Sequence, residues 1–267
     1  VPDPIPNLDE IFADFPAGQE LLGEVRAFYG PMFFVEGFVN LDGVSKFSID
    51  DGGASARFQG ATIKLNMGSD RVEAAAMHEL LHLSLPIRGF ALINSLELSS
   101  AHQANIPYID NVLGKLVNVV QHDIFVNDFL RAGLPLNQFQ NKRSVVANYK
   151  KEFKSYKGKE IIRDLEWWPW SWWAFEYLNN YISIQHGDDA AARLAQETKM
   201  WGYKALPGFA RTADQIKAWV KAGEHRSPAT YRAAMVKLMK LLHLPPVKQF
   251  SSLTAVEGAA PNVEFLA

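Results

Sequence analysis

The 267-residue chain contains no cysteine. That absence excludes disulfide scaffolds, thiolate zinc fingers, iron–sulfur clusters and cysteine nucleophiles together. Any transition metal must then be held by His, Asp or Glu. An excess of one charge is lacking too. The 27 Lys+Arg against 29 Asp+Glu leave a net charge of −2, so there is no basic field of the kind that holds nucleic acid. No apolar run approaches the roughly 18 residues that span a bilayer. The chain starts at Val1 without Met, and "VPDPIPNLDE" has no signal-peptide pattern. Two readings of this start stay open, a mature N-terminus after cleavage and a trimmed chain. With the missing Cys, it leans towards a secreted or periplasmic protein, the compartment being otherwise open.

What is present is an ordinary globular composition, 48% hydrophobic and 21% charged, in a chain long enough to bury a real core. Pro2, Pro4 and Pro6 imply an extended start. Asp9 to Tyr29 has helical apolar spacing, interrupted near Pro16 and Gly18 and ended by Gly30-Pro31. The segments "FFVEGFVN" and "VSKFSID" flank Asp42-Gly43, a strong hairpin signal. Asp51-Gly52-Gly53 reads as a second turn. In "ARFQGATIKLNMG", Ala61, Ile63, Leu65 and Met67 alternate with Thr62, Lys64 and Asn66. Residues 33–67 therefore read as a small, mainly antiparallel sheet. Asp70 with Glu73 resembles a capping box, opening a helix that runs to about Leu85 and stops at Pro86. A long helix follows from about Asp110 to Arg131, closed by Gly133 and Pro135. Beyond about residue 150 the pattern is mostly helical. The expected class is α+β, with a core over 1–150 and a helical C-terminal subdomain over 151–267.

Residues 78–82 read His78-Glu79-Leu80-Leu81-His82. On a helix the two imidazoles lie about 40° apart and one turn from each other, so both can reach one metal ion. Glu79 beside them can act as general base on a metal-bound water. With 7 His in the chain, chance supplies about one such match per hundred sequences of this composition.

Two histidines leave a catalytic zinc one protein ligand short. The form with a third His six residues on is absent, since Leu85 and Arg88 occupy the relevant positions. On the 110–131 helix, Val112, Leu113, Leu116, Val119, Val120, Ile124 and Leu130 define an apolar face. Asp123 falls near its centre, with Asn127 beside it. A carboxylate placed there is expensive unless paired. Asp123 is thus the first candidate for third ligand, with Asn127 behind it, bonding a ligand His or Asp123 itself. The competing reading of Asp123 is a carboxylate paired with Arg or with a helix cap. His122, grouped with Lys115, Asn118 and Phe129 at the edge of the face, is the alternative ligand. Glu97 and His102 stand further back.

A strand, an H-E-x-x-H helix and then a helix with an acidic-x-x-x-Asp/Asn pattern resemble gluzincin-like zinc metallopeptidases. The runs "HELLHLSL" and "NVVQHDIFVNDFL" are similar to the metallopeptidase domains found beside VWA-type domains. The resemblance covers about 60–131. It implies a zincin-like core binding one Zn2+ through His78, His82 and Asp123, with Glu79 as base. The residue before the Asp is usually small in that family and is His122 here. The implied activity is peptide-bond hydrolysis, with the substrate strand pairing beside residues 61–66. An oxyanion donor would come from downstream, among His225, Tyr231, His186 and Tyr149.

Residues 167–173 hold five of the seven Trp. They read as core packing or as an exposed aromatic shelf that grips glycans. The shelf would make the protein a zinc protease or amidase acting on glycosylated or cell-wall material. The Lys/Arg-rich stretch 142–163 reads as a solvated helix face. Expected partners are a peptide or protein substrate, plain or glycosylated, with no nucleic acid and no transmembrane segment. The rival from another class is a non-catalytic binding or assembly protein with a closed, structural metal site.

Overall fold

The computed structural model describes residues 5–39, 45–50, 58–103, 106–139, 167–187, 189–206 and 208–266. The fold is mixed α+β, with two small sheets among many helices. Asp42-Gly43, the Asp51–Gly53 turn, Tyr149 and the 142–163 stretch lie outside the described residues.

The chain packs as two compact units, neither of them a continuous segment. The first draws on residues 1–95, 125–142 and 249–267, the second on 96–124 and 143–248.

In the first unit, α1 (Leu8–Ile11) and α2 (Pro16–Tyr29) precede β1 (Phe33–Phe38), β2 (Lys46–Asp50) and β3 (Gly60–Asn66). The sheet order is β1-β3-β2, with β1 parallel and β2 antiparallel to β3. This corrects the expected hairpin across Asp42-Gly43, because β1 and β2 are not neighbours. It also corrects the mainly antiparallel reading, because one of the two pairings is parallel. Burial supplies the reason. Ala61, Ile63 and Leu65 are fully buried and Asn66 nearly so, whereas β1 and β2 alternate between half-buried and exposed. The strand with most to hide takes the centre. As the central strand, β3 has no free edge to offer a peptide, which corrects the expected substrate pairing at 61–66.

Helix α3 (Val72–Ile87) packs on α2, β2 and β3. Ala74, Ala76, Met77, Leu80, Leu81, Leu83 and Leu85 are all buried, the mark of a helix enclosed on most sides. Tyr29 of α2 ties it down by donating its hydroxyl to the Leu83 carbonyl at 2.9 Å. The expected capping box is absent. The N-cap is Arg71, without a side-chain cap, and Ser69 Oγ instead accepts from the Arg71 N–H at 3.1 Å. Pro86 does not end the helix but sits in its last turn. The end is a Schellman closure at Gly89, whose φ of 84° suits glycine. There the Phe90 N–H reaches the Leu85 carbonyl and the Gly89 N–H that of Pro86, each at 3.0 Å.

After β4 (Leu92–Leu96) and α4 (Ser100–Gln103) comes α5 (Ile106–Arg131), then the short α6 (Leu136–Phe139). Helix α5 is one uninterrupted element. It counts with the second unit through Ile124 and with the first from Phe125 onward. The second unit adds α7 (Trp167–Gln185), α8 (Asp189–Ala205), α9 (Phe209–Ala222) and α10 (Pro228–Leu241), packed on one another around Trp173, Phe209, Trp219 and Tyr231. The chain then closes with β5 (Val247–Thr254) and β6 (Asn262–Leu266), so the C-terminal part is not helical to its end. β5 lies between β4 and β6 and pairs antiparallel with β6.

Candidate metal centre

The helical spacing of His78 and His82 does on α3 what it promises. Their Nε2 atoms face each other at 3.1 Å. Two nitrogens at about 2.0–2.1 Å from a tetrahedral ion stand about 3.3–3.4 Å apart, so the observed separation is close to that of a ligand pair. The rings sit among aromatic side chains. His82 stacks on Phe47 of β2 at 4.1 Å and His78 on Phe139 of α6 at 4.8 Å, while Phe125 of α5 meets both edge-on at 5.8 and 4.7 Å. Burial pushes His78 down to about 4, although a hydrogen bond with the Phe139 backbone works the other way. His78 is therefore a neutral imidazole at pH 7, the form that ligates a metal. A ring nitrogen bonded to a backbone group fixes tautomer and orientation, as ligand histidines require. Glu79 is 7% exposed, and burial pushes its carboxyl up to about 8.

The third member is His122. One ligand nitrogen from each of His78, His82 and His122 lies within 4.8 Å of the other two, close enough to hold a metal ion. Helix geometry places it there. Phe125 touches both histidines of α3, and His122 precedes it by three residues on the same face of α5. The three imidazoles suit Zn2+ or a neighbouring first-row ion, and a three-ligand set leaves a position for water.

Asp123 is fully buried, with both oxygens engaged elsewhere. Oδ1 accepts from His186 Nε2 at 2.8 Å and Oδ2 from His225 Nε2 at 2.5 Å. The Arg226 guanidinium adds a fork, Nε to Oδ2 at 2.9 Å and Nη2 to Oδ1 at 3.2 Å. Burial raises the Asp123 carboxyl. The hydrogen bonds from His186 and His225 and the charges of His225 and Arg226 outweigh it, so the group is held well below the usual carboxylate range. This is the Arg-paired carboxylate that stood against the ligand reading in the sequence. Asn127 is exposed, and its backbone carbonyl accepts from Arg131 Nε at 3.3 Å. Glu97 is exposed, and His102 bonds Ser99.

Of the downstream donors, His225 and Tyr231 are buried in the second unit, His225 lying flat on Trp219 at 4.2 Å. Trp170 and Trp173 are buried, and Trp172 is half-buried under the Lys115 ammonium at 4.5 Å. These three do not form an exposed row, and the side chains of Trp167 and Trp168 lie outside the described residues. The sequence reading missed Arg226 as the partner of Asp123, and Phe47 and Phe139 as the walls of the histidine pair. Nothing in local spacing points to them. Among the described residues no helix is long and apolar enough to cross a membrane. No protein-family model, curated protein or solved structure matches this chain.

Proposed function

We propose that the protein is a metal-dependent hydrolase, with one Zn2+ held by His78, His82 and His122 and Glu79 as general base. The observation that carries the reading is the three-histidine group on an H-E-x-x-H helix. A bound zinc would supply an acidified water and polarise the substrate carbonyl. The chain's part is to orient the imidazoles through the aromatic packing and the Phe139 backbone, and to keep the Glu79 carboxyl, whose ionised form a bound cation would favour against its burial, beside the ligands for proton transfer. Peptide bonds are the first substrate class to test, on the resemblance of 60–131 to zinc metallopeptidases. Any peptide must be held otherwise than by strand addition to β3.

The second reading, a structural metal site, is favoured by the burial of His82 at 1% exposure. Metal analysis and hydrolysis of a mixed fluorogenic peptide library separate the two. Wild type should carry about one zinc per chain, and His78→Ala should lose it. Glu79→Gln should keep the metal and lose about two or more decades of turnover. Metal retained in His78→Ala would sink the site. Metal in wild type with no hydrolysis, or with hydrolysis untouched by Glu79→Gln, would leave only the structural reading or another base.

A further inference from the structure

Asp123 occupies the residue next to His122, and four hydrogen bonds converge on its carboxylate. The donors come from two separate segments of the second unit. His186 lies in the turn after α7. His225 and Arg226 lie in the 3-10 turn Glu224–Arg226 between α9 and α10. That turn is itself set by Gly223 at φ 66° and by the Trp219 ring under His225. We infer that Asp123 is a positioning residue for the metal group: its clamp fixes the rotation of α5 about its own axis, and with it the presentation of His122. The inference rests on the proposed metal site.

The physical case has two parts. A buried ionic cluster is a poor way to gain stability, because desolvation cancels most of the attraction and an apolar residue of similar volume does as well. Directional, charge-assisted bonds instead specify geometry. The second part is leverage. Successive residues on a helix are 100° apart, so pinning Asp123 sets the azimuth of His122. At a radius of about 5–6 Å, a rotation of about 10° moves a ring nitrogen by about 1 Å. Metal–ligand distances tolerate only about 0.2 Å. Apolar packing of α5 is not directional enough to hold that tolerance alone.

Arg226 is the member to change, because its side chain is 43% exposed and its loss disturbs the core least. The measurement is zinc affinity by competition with a chromophoric chelator, together with the visible spectrum of the Co2+ form, on full-length Arg226→Lys, Arg226→Gln and Asp123→Asn. Folding is checked by circular dichroism. Lys199→Gln, which removes a surface ion pair with Asp214, is the control and should match wild type. Arg226→Gln should weaken zinc binding about ten- to hundredfold and alter the Co2+ spectrum, with Arg226→Lys between it and wild type. A merely structural role would lower thermal stability and leave the affinity of the folded protein unchanged, and that result overturns the inference. If Asp123 were itself a ligand, removing its competitor Arg226 would tighten binding, which also overturns it. Should Asp123→Asn fail to fold, the Arg226 pair decides. Absence of zinc binding in wild type would instead remove the metal site on which the inference stands.

Discussion

Gly114 and Gly202 show how the same substitution changes sign with its surroundings. Both sit inside helices, where Ala is favoured over Gly by about 1 kcal/mol. A Cβ on Gly114 of α5 meets nothing within 4 Å, and the residue is exposed. Gly114→Ala should therefore raise stability by about 1 kcal/mol, or about 2–4 °C in melting temperature. A Cβ on Gly202 of α8 would lie 2.4 Å from the Phe209 ring, which is fully buried and cannot yield. Overpacking of that kind costs about 1–3 kcal/mol, so Gly202→Ala should melt lower than wild type. Thermal melts of the two variants check both signs at once. The same contrast between local and remote information governs the candidate site. His78, Glu79 and His82 are legible in the sequence because their relation is four residues of one helix. His122 stood at the edge of the apolar face only while Phe125 and Phe129 were left out of it. Both are fully buried, so the buried arc of α5 reaches round to His122. Arg226 is invisible from Asp123 because 103 residues separate them.

At the scale of elements, α3 illustrates what periodicity can and cannot deliver. Its existence and position were readable, but its start and stop follow from closures the pattern does not show, the uncapped Arg71 and the Gly89 turn. For the sheet, alternation found the strands while pairing depended on relative burial, so the most buried strand, β3, displaced the expected hairpin. Ile63, fully buried where β3 backs α3, should matter accordingly. Ile63→Ala is expected to cost about 2–5 kcal/mol. The cross-strand pair Lys64–Glu36, at 2.6 Å but about half exposed on both sides, should contribute under about 1 kcal/mol. Glu36→Ala therefore ought to leave the urea midpoint almost unmoved where Ile63→Ala shifts it strongly. Comparable shifts in both would mean that edge pairing rather than core burial holds this sheet.

For the molecule as a whole, a division near residue 150 was the natural reading of a β-rich start and a helical remainder. The observed units instead interleave, because β5 and β6 return to the first unit and α5 belongs to both. Such long-range return is set by strand partners more than a hundred residues apart in sequence, as β4 and β5 are, which no window of spacing records. Metal binding offers a global test of this organisation. His78 and His82 lie on one helix and His122 on another, so the complete ligand set exists only in the folded chain. An unfolded chain retains at most scattered imidazoles. Zinc should then stabilise the native state by linkage, about 2.7 kcal/mol at a free concentration one hundred times its dissociation constant. For a chain of this size that is about 5–10 °C in melting temperature. Calorimetry with zinc and with excess chelator should show that upward shift in wild type, none in His78→Ala, and a smaller one in His122→Ala, where only the pair on α3 remains. An equal shift in wild type and His122→Ala would exclude His122 from the site. The same comparison in Asp123→Asn would show whether its carboxylate acts on the metal through the placement of α5.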